Sequence, residues 1–259
     1  MTLELVVVDA FTDRPFTGNP AAVAMVEQFP DPQFMQAVAA EMALSETAFC
    51  VARPDGGYDL RWFSPTMEID LCGHATLATT RVLGGSPHFD TRSGVLSCRT
   101  DPDGVIRMDF PADPPRLAEA PMVLEGGLDG AEVKAFARCR QDALVELADA
   151  DSVRRLQPDM ATMASLAERG VIVTAPGDAG GVDCVSRFFA PNAGVPEDPV
   201  TGSTHCALAV WWGERTGRRD LVGEQVSARG GTVYMSWRGE RVELGGRGVV
   251  VSRVSMAVG

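Results

Sequence analysis

The 259-residue chain has no apolar run approaching the roughly 18 residues that a membrane-spanning helix needs, and its opening Met-Thr-Leu-Glu-Leu-Val-Val-Val lacks the basic segment of a secretion signal. A membrane partner is excluded on this reading, and the cytoplasm is the expected location. Positive charge is also short: 23 Lys and Arg stand against 35 Asp and Glu, a formal net charge of -12. Phosphate backbones are held by clustered cations, so nucleic acid is not expected as a partner. An acidic ligand must then be captured locally, against the field of the whole chain. The six cysteines (Cys50, Cys72, Cys98, Cys139, Cys184, Cys206) contain no CxxC pair, and reduced thiols are expected rather than disulfides. With only three histidines, Cys72-x-His74 and the adjacent His205-Cys206 lack metal-ligand spacing, so no metal is expected. The nucleotide-binding GxxxxGK and GxGxxG, the hydrolase GxSxG and the metalloprotease HExxH are all missing. Neither those activities nor a cofactor is implied.

What is present is an ordinary globular composition, 45% apolar and 22% charged, long enough for one or two domains with real cores. Within it one device occurs twice. Arg61-Trp62-Phe63-Ser64-Pro65 leads to Cys72-Gly73-His74-Ala75-Thr76, and Arg187-Phe188-Phe189-Ala190-Pro191 leads to Thr201-Gly202-Ser203-Thr204-His205. Each copy reads as an aromatic strand, a proline turn, then a glycine opening an uncharged helix. The copies lie half a chain apart, which implies two similar halves facing each other. Each half offers a helix N-terminus, and with it backbone N–H donors, to a small anion in the cleft between them. The expected domains are 1–115 and 116–259, with the terminal strand free to cross to the first and a Pro- and Gly-rich linker near 111–130.

Along the first half, Leu3 to Ala10 reads as a strand, Thr12 to Pro20 as turns, and Ala21 to Val26 as a strand. Asp31 caps a helix with Pro32 in its first turn and Phe34, Met35, Val38, Ala39 and Met42 on one face, ending near Leu44. Strands Thr47 to Ala52 and Tyr58 to Phe63 follow. In the second half, Asp151 to Arg169 has helical spacing, with Pro158 a candidate break, before strands Val171 to Ala175 and Cys184 to Phe189. The central helices are unusual. Gly73 to Gly85 carries one charge, Arg81, and Gly202 to Gly213 carries none; a helix that is small or apolar all round is surrounded by protein. The expected class is therefore α+β: two pseudo-symmetric domains, each a mixed sheet or half-barrel wrapped around a central buried helix. Trp211 and Trp212 close the second helix and serve either a core or the face of a homodimer.

Several of these segments resemble the PhzF family of phenazine-biosynthesis-like isomerases and epimerases: Val8-Asp9-Ala10-Phe11-Thr12 with Pro15 to Pro20, Ser45-Glu46-Thr47-Ala48-Phe49, Asp70 to Thr76, Asp109-Phe110-Pro111-Ala112, and Glu197 to Ser203. They occur in the family's order. The family's Gln-Gly followed by Arg appears here as Gln225-Val226 with Arg229, a departure. The resemblance implies a fold similar to diaminopimelate epimerase. The two-cysteine racemases of that fold carry a thiol before the glycine of each helix. Here Cys72 occupies the first such place and Thr201 the second. An alcohol cannot replace a thiolate as proton carrier, so the base must lie elsewhere.

Glu46 is the candidate. A surface carboxylate is the plain alternative, but Ala43 and Leu44 precede it and an uncharged strand follows. Partial desolvation of this kind makes a carboxylate a better proton acceptor, and the resemblance implies the same catalytic role for it. His74, one residue into its helix, is expected to be a neutral hydrogen-bond donor or a turn cap. Asp198 before Pro199 reads equally as a turn residue. The resemblance implies that His74 and Asp198 act with Glu46 and that Gly73 and Ser203 hold the substrate. Gly202 would add its backbone N–H. Asn19, with Asp9, fixes the preceding turn or contacts substrate. Cys72 reads as a small buried residue. The expected activity is a cofactor-independent isomerisation of a small carboxylic acid, Glu46 shifting a proton across an allylic system. An epimerase and a non-catalytic acid-binding protein of the same fold are the alternatives.

Overall fold

A computed structural model describes residues 2–178 and 180–258 of the chain. The elements in chain order are β1 (Thr2–Ala10), β2 (Asn19–Val26), α1 (Pro32–Met42), β3 (Glu46–Ala52), β4 (Tyr58–Phe63), β5 (Glu68–Ile69), α2 (Gly73–Leu83), β6 (His88–Thr91), β7 (Gly94–Thr100) and β8 (Ile106–Pro111). They continue with β9 (Arg116–Leu117), α3 (Met122–Gly127), β10 (Val133–Arg138), β11 (Ala143–Leu147), α4 (Ala150–Arg155), α5 (Met160–Ser165), β12 (Val171–Pro176), β13 (Cys184–Ala190) and β14 (Val195–Asp198). The last are α6 (Gly202–Thr216), β15 (Asp220–Gln225), β16 (Gly231–Arg238), β17 (Arg241–Gly246) and β18 (Gly248–Ala257). The chain divides into two compact units: Met1–Asp109 with Gly245–Gly259, and Phe110–Leu244.

In the first unit β1 is antiparallel to both β18 and β2. Strand β2 runs parallel to β3 through the α1 crossover, β3 is antiparallel to β4, and β4 pairs with β5 and, in parallel, with β6. Residues Ala21 to Ala24 of β2 are all buried, because helices cover both faces of the strand, as in other doubly covered parallel pairs. Met35, Val38 and Ala39 of α1 pack with Ala22, Ala24 and Phe49, while α2 packs against β1, β2, β3 and β18. The start of α1 follows from its sequence: Asp31 accepts the Gln33 N–H at 2.8 Å, and Pro32 fills the first turn, where no donor is needed.

Helix α2 is buried from His74 to Thr80 despite three threonines. Each hydroxyl bonds back to the carbonyl four residues earlier: Thr76 to Cys72 at 2.6 Å, Thr79 to Ala75 at 2.8 Å and Thr80 to Thr76 at 2.9 Å. That satisfies polar groups no water can reach.

The second unit repeats this pairing strand for strand. Here β10 is antiparallel to β11, β11 parallel to β12, β12 antiparallel to β13, and β13 pairs antiparallel with β14 and in parallel with β15. Helix α6 is its buried counterpart, with no exposed residue from Thr204 to Gly213. Trp212 donates to Thr174 Oγ1 at 3.0 Å and Trp211 to Glu146 at 2.9 Å, so both indoles are spent on the core of their own unit.

Two segments depart from the sequence reading. The helix expected over Asp151 to Arg169 is two short helices, α4 and α5. Pro158 has no N–H and forces its predecessor out of helical geometry; Asp159 then caps α5 by accepting from Ala161 and Thr162, and Arg187 donates to the freed Leu156 carbonyl at 2.7 Å. The expected linker near 111–130 contains β9 and α3, with Leu124 and Leu128 in the core, since that four-residue spacing makes an apolar face.

The duplicated device has a clasp at its centre. Arg61 forks onto Glu68 at 2.7 and 2.8 Å, and Arg187 onto Glu197 at 2.7 and 2.9 Å. Each guanidinium also lies over the phenylalanine two residues on, Phe63 or Phe189. In both copies the glutamate stands five residues before the helix glycine, so the clasp sets where that helix starts. The Arg61 fork holds the Glu68 carboxyl below the usual carboxylate range. A folded-state pKa below the unfolded one stabilises above the ordinary range, and that stability is lost as pH falls through the lowered value. Arg61→Met leaves the largely buried Glu68 carboxylate with Arg92 alone, and we expect it to cost about 1–2 kcal/mol at neutral pH, read as a lower urea midpoint. The deficit relative to the parent should shrink as pH falls and Glu68 protonates.

Candidate active site

The loop before β2 is fixed by one glycine and one aspartate. Gly18 has φ +70°, and a Cβ there would lie 2.2 Å from the Ala10 carbonyl oxygen, so no other residue fits. Buried Asp9 accepts the Phe16 N–H at 2.7 Å, holding Phe16 in left-handed geometry at φ 68°. The turn delivers Asn19, fully buried, to the start of β2, opposite Ala10. Its amide lies 3.4 Å from His74 Nδ1.

Glu46 opens β3 directly after α1, which ends on left-handed Ala43, and it pairs with Ala21 in parallel register. This brings its carboxylate to the N-terminus of α2. Glu46 Oε2 lies 2.8 Å from His74 Nε2, with side chains only 17% and 7% exposed. The two atoms are close but not aligned as a hydrogen bond, so each keeps bonding capacity for a third group. On the other side of the ring, Cys72 Sγ is 3.5 Å from Nδ1.

The neighbours of His74 pull its protonation in opposite directions. Burial disfavours an imidazolium at His74, but the Cys72 sulfur and the Glu46 carboxylate outweigh it, and the pKa rises well above the ordinary value. A protonated Nδ1 would donate to the Asn19 amide oxygen or to Cys72 Sγ, and an unprotonated one would accept from the Asn19 amide. Burial first, and the Glu46 charge second, push the Cys72 thiol up, while the charge of the thiol and that of the ring each favour the other. Glu46, Cys72 and His74 offer one oxygen, one sulfur and one nitrogen within 4.8 Å of one another. A cation there would have to displace the proton of a raised thiol.

In the second unit, Asp198, Thr201, Gly202 and Ser203 come together at the start of α6. The Thr201 hydroxyl donates to Asp198 Oδ2 at 2.5 Å and its N–H to Gln225 Oε1 at 2.9 Å; Gln225 Nε2 returns to the Asp198 carbonyl at 2.7 Å. The residue standing where a second racemase thiol would be is thus tied into a turn. Because that hydroxyl faces Asp198, it does not cap the helix, and α2, with Cys72 at its N-cap, has no side-chain cap either. Both helix starts keep their first N–H groups available. Arg169, 34 residues earlier, donates to Ser203 Oγ at 3.0 Å.

The phenazine biosynthesis-like protein family matches residues 8–254. The chain belongs to this family. An uncharacterized isomerase of Pseudomonas aeruginosa is 47% identical over 254 residues, covering 95% of this chain and 96% of the relative. The crystal structure of a phenazine biosynthesis protein of the PhzF family from Enterococcus faecalis superposes with a TM-score of 0.94 at 38% identity, covering 100% of both chains. A hydroxyproline epimerase from Agrobacterium vitis shares the fold, with a TM-score of 0.64 at 10% identity over 99% of this chain and 93% of its own. The α+β architecture with a buried helix in each unit is that of this PhzF and epimerase-like group.

Of the residues singled out from sequence, Asn19, Glu46, Gly73 and His74 meet in the first unit, and Asp198, Gly202 and Ser203 in the second. Sequence reasoning missed Arg169 and its partner Asp142, and it saw in Gln225 only a departure from a motif. Gln225 is fully buried. Gln225→Leu removes the acceptor of the buried Thr201 N–H and one donor to the Asp198 carbonyl, and we expect a loss of about 1–3 kcal/mol in urea unfolding with an unchanged denaturant slope.

Proposed function

We propose that the protein is a cofactor-independent isomerase of a small carboxylic acid. The observation that carries the reading is the half-buried Glu46 carboxylate 2.8 Å from the buried His74 ring, each with an unfilled hydrogen-bonding position. A carboxylate so placed can take a proton from a carbon activated by a neighbouring unsaturated group. That proton, or one exchanged for it with solvent while on Glu46, is delivered to a second carbon of the allylic system, which moves the double bond and regenerates the base. The imidazolium and the uncapped N–H groups at Gly73 face the negative charge that develops between these steps. In its own unit the start of α6, with Gly202, Ser203 and Asp198, offers an uncapped helix end of the same kind. The kinship with proteins described as isomerases supports the class.

The test is a deuterium-exchange screen by NMR over small unsaturated and hydroxylated carboxylic acids in D2O. We expect label to appear at a carbon other than the one that loses its proton, and Glu46→Gln to bind the acid normally while exchanging at least about 100-fold more slowly. Exchange confined to one carbon, with inversion, would identify an epimerase. Ligand-induced stabilisation with no exchange would identify a binding protein. Full exchange by Glu46→Gln on the true substrate would refute the mechanism.

A further inference from the structure

Past the C-terminal end of α6 the chain fixes a tryptophan and an arginine that the proposed chemistry does not use. Left-handed Gly217 ends the helix, whose length puts this end roughly 22 Å from Gly202. Trp237, near the end of β16, is held there in three ways. Its N–H donates to the Arg219 carbonyl at 2.8 Å, and its indole Nε1–H to the Gly239 carbonyl at 2.7 Å. Its ring lies against Gly213 of α6, where a Cβ would come within 2.7 Å of Cε3. The Arg219 guanidinium lies over the same ring, 4.3 Å from a ring centroid.

The neighbouring charges are already matched. Arg218 pairs with Asp183, and Arg238 with Asp220, whose Oδ1 also accepts from Ser236 at 2.6 Å. Arg219 differs: among the described residues, none forms a hydrogen bond or ion pair with its guanidinium. The indole face attracts its charge but leaves its five N–H donors for another group. Arg219, Asp220, Trp237, Arg238 and Gly239 line an open cleft of about 550 Å³, within the range that small organic ligands occupy. With two arginines against one aspartate, this lining is positive in a chain of net charge -12.

We propose that this cleft binds a small organic oxyanion, a carboxylate or a phosphate monoester, on the Arg219 guanidinium that Trp237 holds in place. A guanidinium suits such a group because its donors form a planar fork that meets two oxygens at once. The site is separate from the pair of Glu46 and His74, which belongs to the other unit, and from the turn of Asp198 and Ser203 at the opposite end of α6. The negative charge of the whole chain opposes anions at a distance. Capture therefore depends on contact with the fork, and chloride, which has no pair of oxygens, is the natural control.

The test follows the indole N–H signals of Trp62, Trp211, Trp212 and Trp237 by proton–nitrogen NMR, with Trp237 assigned from Trp237→Phe. Inorganic phosphate and succinate are titrated separately, at an ionic strength held constant with sodium chloride. We expect the Trp237 signal to move and saturate, and the anion that binds more tightly tells a phosphate site from a carboxylate site. Arg219→Gln should weaken that anion at least about tenfold. Arg219→Lys, charged but without the fork, should fall between the two, and it carries the test if Arg219→Gln fails to fold. Unmoved Trp211 and Trp212 signals report that α6 is intact in each variant. A Trp237 signal that saturates with neither anion, one that Arg219→Gln leaves equally responsive, or wild-type affinity in Arg219→Lys would overturn the proposal.

Discussion

The close approach of the Glu46 carboxylate to the His74 ring is the contact on which the first unit depends. Two ionisable groups are taken largely out of water there, and each would be costly to bury alone. The surrounding structure serves that placement. Gly18 permits the turn that brings Asn19 to the ring, the end of α1 starts β3 on Glu46, and the clasp of Arg61 with Glu68 sets the start of α2. None of these features is needed merely to build a sheet over a helix.

The second unit shows what the same scaffold looks like without that pair. Its strands pair in the same order, Arg187 and Glu197 form the same clasp, and α6 begins at the matching glycine. At the position of Cys72 stands Thr201, and its hydroxyl and N–H are taken up by Asp198 and Gln225. One copy holds titratable groups with unfilled bonding positions; the other holds a closed turn beside a serine bonded to an arginine. The duplication has kept the helix starts and divided their roles.

The repeat was legible in the sequence because it is local. The Arg-aromatic-Phe strand, the proline turn and the glycine recur at fixed spacing, and nearly chargeless helices announce their burial. Asp31 and Pro32 marked a helix start for the same reason. The break at Pro158 was visible but not its length, since Asp159 and Arg187 settle that from outside the helix. Arg169, Asp142 and Gln225 left no sequence signal, because each acts on residues 24 to 34 positions away and contacts of that separation leave no periodicity to read. For a related reason the sequence shows only one of the influences on His74: the helix dipole is local and visible, whereas the Glu46 carboxylate, which raises its pKa, arrives from another strand.

The account turns on His74 carrying its charge because Glu46 lies beside it. An NMR titration of the His74 ring measures this directly, in the wild type and in Glu46→Gln. The account predicts a wild-type midpoint well above the ordinary histidine value and a clear fall when the carboxylate becomes an amide. A midpoint at or below the ordinary value, or one that Glu46→Gln leaves unmoved, would contradict it.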